Sequence, residues 1–412
     1  MGFGWSRLGG QNVCRALWAV LGLFALIPSM GGVSAHAQPR PPVTDPDRDA
    51  LYARYPYLET AMARFQQAAE SDKVVGMAVA VLEEGRPVLI FTSGETAAGT
   101  GEPITPSTVF RAASLTKTFT GTLAAMLEEE GRLDLGQAVP ASVLTLKGSR
   151  QPSVLEILSH QTGLPPNAYD NLIEAGRTGL HARERLAEVD LMCSLGGCYT
   201  YQNVAFSAVE PVIEAATGER YQDLIESHIF ARYNLPNASI GVESLKRAPS
   251  WARPHSGWRR LHDRPGNPDS PYDDLPSAAG INLSLMDLIK WAQVQLDEET
   301  GLSEAVRTRL RTPYIDSLRE TRRFSRRYQG RVSDTAYGLG WRIYQWGDRE
   351  LIAHSGSLSG YGAQIVFEPA SGFAFVGLWN SDTRYPWALW PTVMDLRTGD
   401  GPGDWLDQIE ED

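Results

Sequence analysis

Ala112-Ala113-Ser114-Leu115-Thr116-Lys117-Thr118-Phe119 (AASLTKTF) leads into a helical pattern over 116–130 that Gly131 stops. On such a helix, side chains three residues apart share a face with their Cβ atoms about 5–6 Å apart, so the amine of Lys117 reaches the hydroxyl of Ser114. Lysine is scarce in this chain: only Lys73, Lys117, Lys147, Lys246 and Lys290 occur, and arginine supplies the other cationic charge. The partial positive charge at a helix N-terminus favours a developing anion and discourages protonation of the amine. A buried amine loses proton affinity and can then take the proton of a serine nucleophile. A helix-opening serine beside an unrelated surface lysine reads the same way, so the pair needs company.

Working outward, 51–69 has helical apolar spacing. Next, 74–82 and 87–92 are β-rich runs joined by Glu83-Glu-Gly-Arg86, a hairpin signature. The patterns then turn mostly helical to about 297, as at 154–158, 205–216, 221–231 and 285–296. Strand patterns return at 339–345, 351–354, 362–368 and 373–380, and 386–394 reads as a last helix. Strands at both ends with helices between predict an α+β fold: one antiparallel sheet built from both termini, flanked by helices, with an inserted helical lobe over about 131–297. The arginine-dense 307–331 reads as a solvated loop, with contact to substrate as the alternative.

Two further constellations bear on chemistry. Tyr199-Thr-Tyr201-Gln202-Asn203 precedes a helix. A phenol there can relay protons beside Lys117, and an amide can hold a substrate carbonyl or the amine itself. Leu351-Ile-Ala-His354-Ser355-Gly356-Ser357 ends a strand. His354 there offers switchable positive charge, Ser355 a hydroxyl, and Gly356 room for a substrate to lie against the backbone. No phosphate loop, zinc-protease helix or nucleophile-elbow motif occurs, and the seven histidines lack paired metal-ligand spacing.

Together, in this order and with these gaps, the three segments resemble the penicillin-recognising serine hydrolases: class C β-lactamases, DD-peptidases and related esterases. Leu158-Ser-His-Gln-Thr-Gly-Leu-Pro165, Ser277-Ala-Ala-Gly-Ile-Asn282 and Tyr337-Gly-Leu-Gly-Trp341 also look like family segments. The resemblance implies the β-lactamase/DD-peptidase fold over 51–395, with Ser114 acylated, Lys117 and Tyr201 acting as a proton-transfer unit, and Asn203 contacting the substrate amide. It puts His354-Ser355-Gly356 in the place of the family's Lys-Thr-Gly strand motif, and makes the backbone N–H groups of Ser114 and Ser357 the oxyanion hole. No metal or organic cofactor is implied. The substrates implied are small molecules or peptides, among them cell-wall peptides ending in D-amino acids (peptidoglycan), β-lactams and small esters. A non-catalytic ligand-binding homologue is the reading from another class. Histidine where class C enzymes carry lysine implies that binding of a carboxylate-bearing substrate weakens as pH rises through the His354 titration.

The chain ends and composition set the compartment. In the 412 residues, 49 Asp+Glu outnumber 38 Lys+Arg for a net charge of −11, which argues against nucleic acid as a partner. Arg7 and Arg15 precede an apolar run at 16–27, and Ala35-His36-Ala37 follows as a peptidase-type site. The run is short for a bilayer span of about 20 residues, so 1–37 reads as a signal peptide, with an uncleaved anchor as the alternative. Residues 38–50 read as a Pro-rich linker and 396–412 as an acidic, frayed tail. No later segment is apolar for long enough to span a membrane, which predicts a secreted or periplasmic protein. Of the three cysteines, Cys14 lies before the apolar run. Cys193 and Cys198 either close a local disulfide or stay as free thiols, since one pair falls short of a four-ligand metal site.

Overall fold

The computed structural model describes residues 46–255, 266, 268, 271–297, 299, 302–401 and 405–409. The signal peptide expected at 1–37 lies outside the described residues, as does the expected linker up to residue 45.

An eight-stranded antiparallel sheet carries the fold. Its strands are β1 (Gly76–Glu83), β2 (Arg86–Gly94), β6 (Ile315–Asp316), β7 (Val332–Tyr337), β8 (Arg342–Trp346), β9 (Arg349–Leu358), β10 (Tyr361–Glu368) and β11 (Phe373–Trp379). They lie in the order β2-β1-β11-β10-β9-β8-β7-β6. Thus β1, from near the N-terminus, pairs with β11 from near the C-terminus, Met77 facing Trp379 and Leu82 facing Ala374. The sheet is covered on both sides, which is why β1 reads as a continuous apolar run. Ala78, Ala80 and Leu82 enter the core on the helical-lobe side, while Met77, Val79 and Val81 pack with Phe65, Phe375 and Trp390 on the other. A second, three-stranded sheet of β3 (Val109–Arg111), β5 (Ile281–Ser284) and β4 (Ser239–Ile240) sits among the helices.

The sequence readings err where local chemistry intervenes. Helix 51–69 is two helices, Pro46–Arg54 and Tyr57–Glu70, split at Pro56, which lacks the N–H that would continue the ladder. Residues 46–50 accordingly begin a helix in place of a linker. The arginine-dense stretch is no loop: helices Glu304–Arg311 and Leu318–Arg327 fill it, the first seating Val306 and Leu310 in the core and the second Phe324. Nor is the tail frayed where it is described. Trp405 and Leu406 are buried, and the Trp405 indole donates to Asp395 Oδ2 at 2.8 Å. Among the described residues, no helix is long and apolar enough to cross a membrane.

The helix Thr116–Glu129 runs through the middle of the molecule with Thr116 to Leu127 all buried. Phe119 stacks on Trp291 of the helix Leu285–Leu296, ring centroids 4.1 Å apart, and the Trp291 indole donates to Thr118 Oγ1 at 3.1 Å. On another side the helix meets the Tyr337–Trp341 turn backbone to backbone. A Cβ on Gly121 would stand 2.2 Å from the Leu339 carbonyl oxygen, and one on Gly340 2.1 Å from the Lys117 carbonyl oxygen. Gly340 also has φ +73°, a left-handed conformation that favours glycine. We expect Gly121→Ala, nominally helix-promoting, to destabilise the fold by about 1–3 kcal/mol through this overpacking, read as a lower denaturant midpoint at unchanged m-value.

Candidate active site

The first half of the site is a single turn. Strand β3 leads into a 3₁₀ turn, Ala113–Leu115, which passes directly into the Thr116–Glu129 helix. Ala113 takes φ +49°, which costs a non-glycine residue roughly 1–3 kcal/mol. Neighbours hold the turn in place: Ala112 N–H donates to the Ile281 carbonyl at 2.9 Å, and Ile281 N–H to Thr116 Oγ1 at 3.0 Å. The turn leaves Ser114 partly exposed and sends Lys117 inward, with no solvent exposure.

Three oxygens surround Lys117 Nζ: Asn203 Oδ1 at 2.7 Å, the Ala278 carbonyl at 3.0 Å and Ser114 Oγ at 3.3 Å. Burial pushes the amine down to about 7; Asp170 pulls it up and Arg342 pushes it further down. A neutral amine has two N–H donors, which the Asn203 and Ala278 oxygens take. Its lone pair is then left for the Ser114 hydroxyl proton. Tyr201 completes the group. Its ring centroid lies 4.9 Å from Lys117 Nζ, and Ser114 is among the groups that act on its phenol. Burial pushes the phenol up to about 12, with Arg342 working against it, so it is a proton donor at neutral pH. Ser114, Asn203 and Ser357 all border one cleft of roughly 600 Å³, together with Arg111, Glu174 and Tyr361.

The family model described as Beta-lactamase matches residues 61–393. The chain belongs to the beta-lactamase family. Penicillin-binding protein 4 of Amycolatopsis lactamdurans is 25% identical over 334 residues, covering 77% of this chain and 84% of that protein. A D-aminopeptidase of Gluconobacter oxydans is 26% identical over 355 residues, 79% of this chain but only 64% of the relative's length. The octameric penicillin-binding protein homologue from Pyrococcus abyssi matches with a TM-score of 0.72 at 21% identity, over 84% of this chain and 78% of that one, a likeness of fold. This beta-lactamase-family chain is a serine hydrolase, as its relatives are.

Strand β9 departs from what the sequence implied. β8 pairs with it only as far as Ala353, so the edge beyond is open to the Ala113–Leu115 turn. Gly356 packs against that turn: a Cβ there would be 2.1 Å from the Ala112 carbonyl oxygen. His354 is buried at 1% exposure. Its Nδ1 lies 2.9 Å from the Ser355 carbonyl, which only accepts, and its Nε2 lies 2.9 Å from the Tyr337 hydroxyl. One donated and one accepted bond satisfy the neutral ring, and burial, with Arg342 and Lys117 nearby, holds it well below the usual imidazole range. The expected switchable cation is therefore absent, and with it the expected loss of carboxylate binding through a His354 titration. Ser355, one residue on, points the opposite way. It lines a neighbouring cavity of roughly 770 Å³ with Arg323, Arg327, Tyr344, Gln364 and Trp390, which Ser357 also borders.

Three residues of the site carried no assigned role in the sequence. His160 (φ +59°) is buried among Tyr199, Tyr201, Phe206 and Tyr337, its centroid 4.4 Å from that of Tyr201, and its Nδ1 accepts from Gln202 N–H at 3.2 Å. Arg342 lies with its guanidinium carbon 5.3 Å from the Tyr201 ring centroid and is ion-paired to Glu320. Asp170 Oδ2 accepts from Asn203 Nδ2 at 2.7 Å. His160 and Arg342 lay in or beside family-like segments; Asp170 gave no signal. The Sγ atoms of Cys193 and Cys198 stand at bonding distance, Cα atoms 6.2 Å apart. We expect the His354 imidazole to stay in one neutral tautomer between about pH 5 and 8, followed as ring ¹⁵N shifts; a titration in that window would contradict the packing.

Proposed function

We propose that the protein is an exported amidase that works through an acyl-enzyme on Ser114, acting on peptides that contain D-amino acids or on β-lactams. The observation that carries this reading is the three-way contact of the buried Lys117 amine. As Ser114 Oγ bonds the substrate carbonyl carbon, its proton passes to Lys117 Nζ. The Tyr201 hydroxyl then gives its proton to the departing amine nitrogen as the C–N bond breaks, and is replenished from Lys117. Water resolves the ester by the same route in reverse. The backbone N–H groups of Ser114 and Ser357 would hold the oxyanion; removing one such donor typically costs about 10²–10³ in rate.

Relatives named penicillin-binding protein, D-aminopeptidase and beta-lactamase favour amides as substrates. One observation favours an esterase instead: neutral His354 gives β9 no charge with which to hold a substrate carboxylate. Export, and a closed Cys193–Cys198 disulfide outside the cytosol, belong to the same reading. They rest on the apolar run at 16–27 and on the approach of the two sulfurs. Peptidoglycan is then within reach as a substrate.

Incubation with a penicillin and, separately, a nitrophenyl ester should each add an acyl mass to the Ser114 peptide, lost in Ser114→Ala. A longer-lived penicillin adduct with slow ester turnover supports the amidase; rapid ester turnover with no penicillin adduct supports the esterase. No adduct and no turnover above the Ser114→Ala control would reject both. Acylation should rise with pH about a midpoint near 7, because Lys117 must lose its proton to act as base. Lys117→Ala should lower the rate by at least about 10²-fold.

A further inference from the structure

Resting on the acyl-transfer reading above, we propose that Asp170 is a positioning residue for that reaction: it holds the Asn203 amide in the one orientation that presents its oxygen to Lys117 Nζ. A side-chain amide has an accepting end and a donating end, and the two are nearly the same shape. In this site the ends are not interchangeable. Asn203 Oδ1 receives an N–H from Lys117 at 2.7 Å, and Asn203 Nδ2 donates to Asp170 Oδ2, also at 2.7 Å. Turning the amide over would set an NH₂ group against the amine and an oxygen against a carboxylate. The contact with Asp170 would then be acceptor to acceptor, and the NH₂ group would meet a charged amine donor to donor or, on a neutral amine, take up the lone pair that Ser114 needs. Asn203 and Asp170 are each only 9% exposed, so water is poorly placed to replace either bond.

The orientation matters because it decides where the amine lone pair points. With Asn203 and Ala278 oxygens taking two N–H groups, the remaining position on Nζ faces Ser114 Oγ. An Asn203 without its anchor can rotate away, free an N–H, and leave the lone pair misdirected. Asp170 opens the short helix Asp170–Glu174, a segment remote in sequence from both residues it would organise.

Charge gives the second consequence. The groups that act electrostatically on Lys117 are Asp170, which raises its proton affinity, and Arg342, which lowers it; His160 and His354 nearby are held neutral by burial. On its other side Asp170 faces Glu174 and the Tyr272 hydroxyl, which donates to Glu174 Oε1 at 3.2 Å. Orientation and charge can therefore be separated by two substitutions. Asp170→Asn keeps an oxygen to accept from Asn203 and removes the charge. Asp170→Leu removes both.

The experiment is the pre-steady-state acylation rate on a nitrophenyl ester as a function of pH, for the wild-type protein and both variants, with thermal midpoints measured alongside. Asp170→Asn should keep the plateau rate and shift the acid limb to lower pH, since Lys117 gives up its proton more readily without the neighbouring anion. Asp170→Leu should lower the plateau by about 10²-fold, the cost of a misplaced catalytic group. A plateau for folded Asp170→Leu equal to wild type would overturn the proposal. If the leucine variant does not fold, a folded Asp170→Ala with a wild-type plateau would overturn it instead, while an unmoved acid limb in Asp170→Asn would overturn the charge consequence alone. If instead the wild-type burst equals that of Ser114→Ala, the acyl-enzyme reading itself has failed, a result distinct from either.

Discussion

An ammonium group cannot sit fully buried and fully charged without heavy compensation, and the centre of this protein is arranged around that constraint. Lys117 has no exposed surface, two carbonyl-type oxygens within 3.0 Å and an aromatic face on two sides, with Tyr201 and Phe206 centroids 4.9 and 5.3 Å from its nitrogen. Those oxygens suit either protonation state, so neither form is strongly preferred and the proton becomes mobile near neutral pH. The oxygens come from residues 203 and 278 and the modulating charges from residues 170 and 342, so the amine ties together four stretches far apart along the chain.

Around this centre the remaining polar groups are kept quiet. His160 and His354, with Tyr199, Tyr201 and Tyr337, form an aromatic box in which burial holds both rings neutral and all three phenols protonated. Arg342, a permanent cation against the box, is matched by Glu320 and sits behind Tyr201, outside the cleft lining. A buried pair of this kind contributes little net stability, but it fixes the direction of the field felt by the phenol. Positive charge is thus supplied from β8, while His354 on β9 is a hydrogen-bonded neutral ring.

Three glycines set how closely the parts meet. Gly121 admits the Leu339 carbonyl, Gly340 the Lys117 carbonyl, and Gly356 the Ala112 carbonyl, each leaving no room for a Cβ. These contacts lock the Thr116–Glu129 helix between the Tyr337–Trp341 turn and β9 at backbone level. Lateral movement of Ser114 relative to β9 would have to break packing in the core rather than swing a side chain.

Much of this was legible in the chain itself. Helical spacing after Ser114 and over 285–296 and the apolar runs of β1, β10 and β11 are local patterns, and local patterns survive translation into structure. That one sheet is built from both ends followed from strands clustering there, though not which strands pair, and the Ser114/Lys117 pair followed from one helical turn of separation. Tertiary structure alone decided the rest. Whether His354 titrates depends on Tyr337 lying against its Nε2 and on burial, which no spacing encodes. Ser355 and Gly356 read as substrate contacts through the likeness to the family's strand motif, while the fold turns Ser355 toward a second cavity and packs Gly356 against the Ala112 carbonyl. Helix Leu318–Arg327 was hidden because its sequence is dominated by arginine, and only the core that receives Phe324 shows which face is inside. Asp170, whose partner Asn203 is 33 positions away, became visible only when the fold closed the distance to 2.7 Å. Residue order fixes which side chains share a turn or a strand face; burial and the meeting of distant segments, which arise only on folding, determine which of them hold charge and which face the cleft.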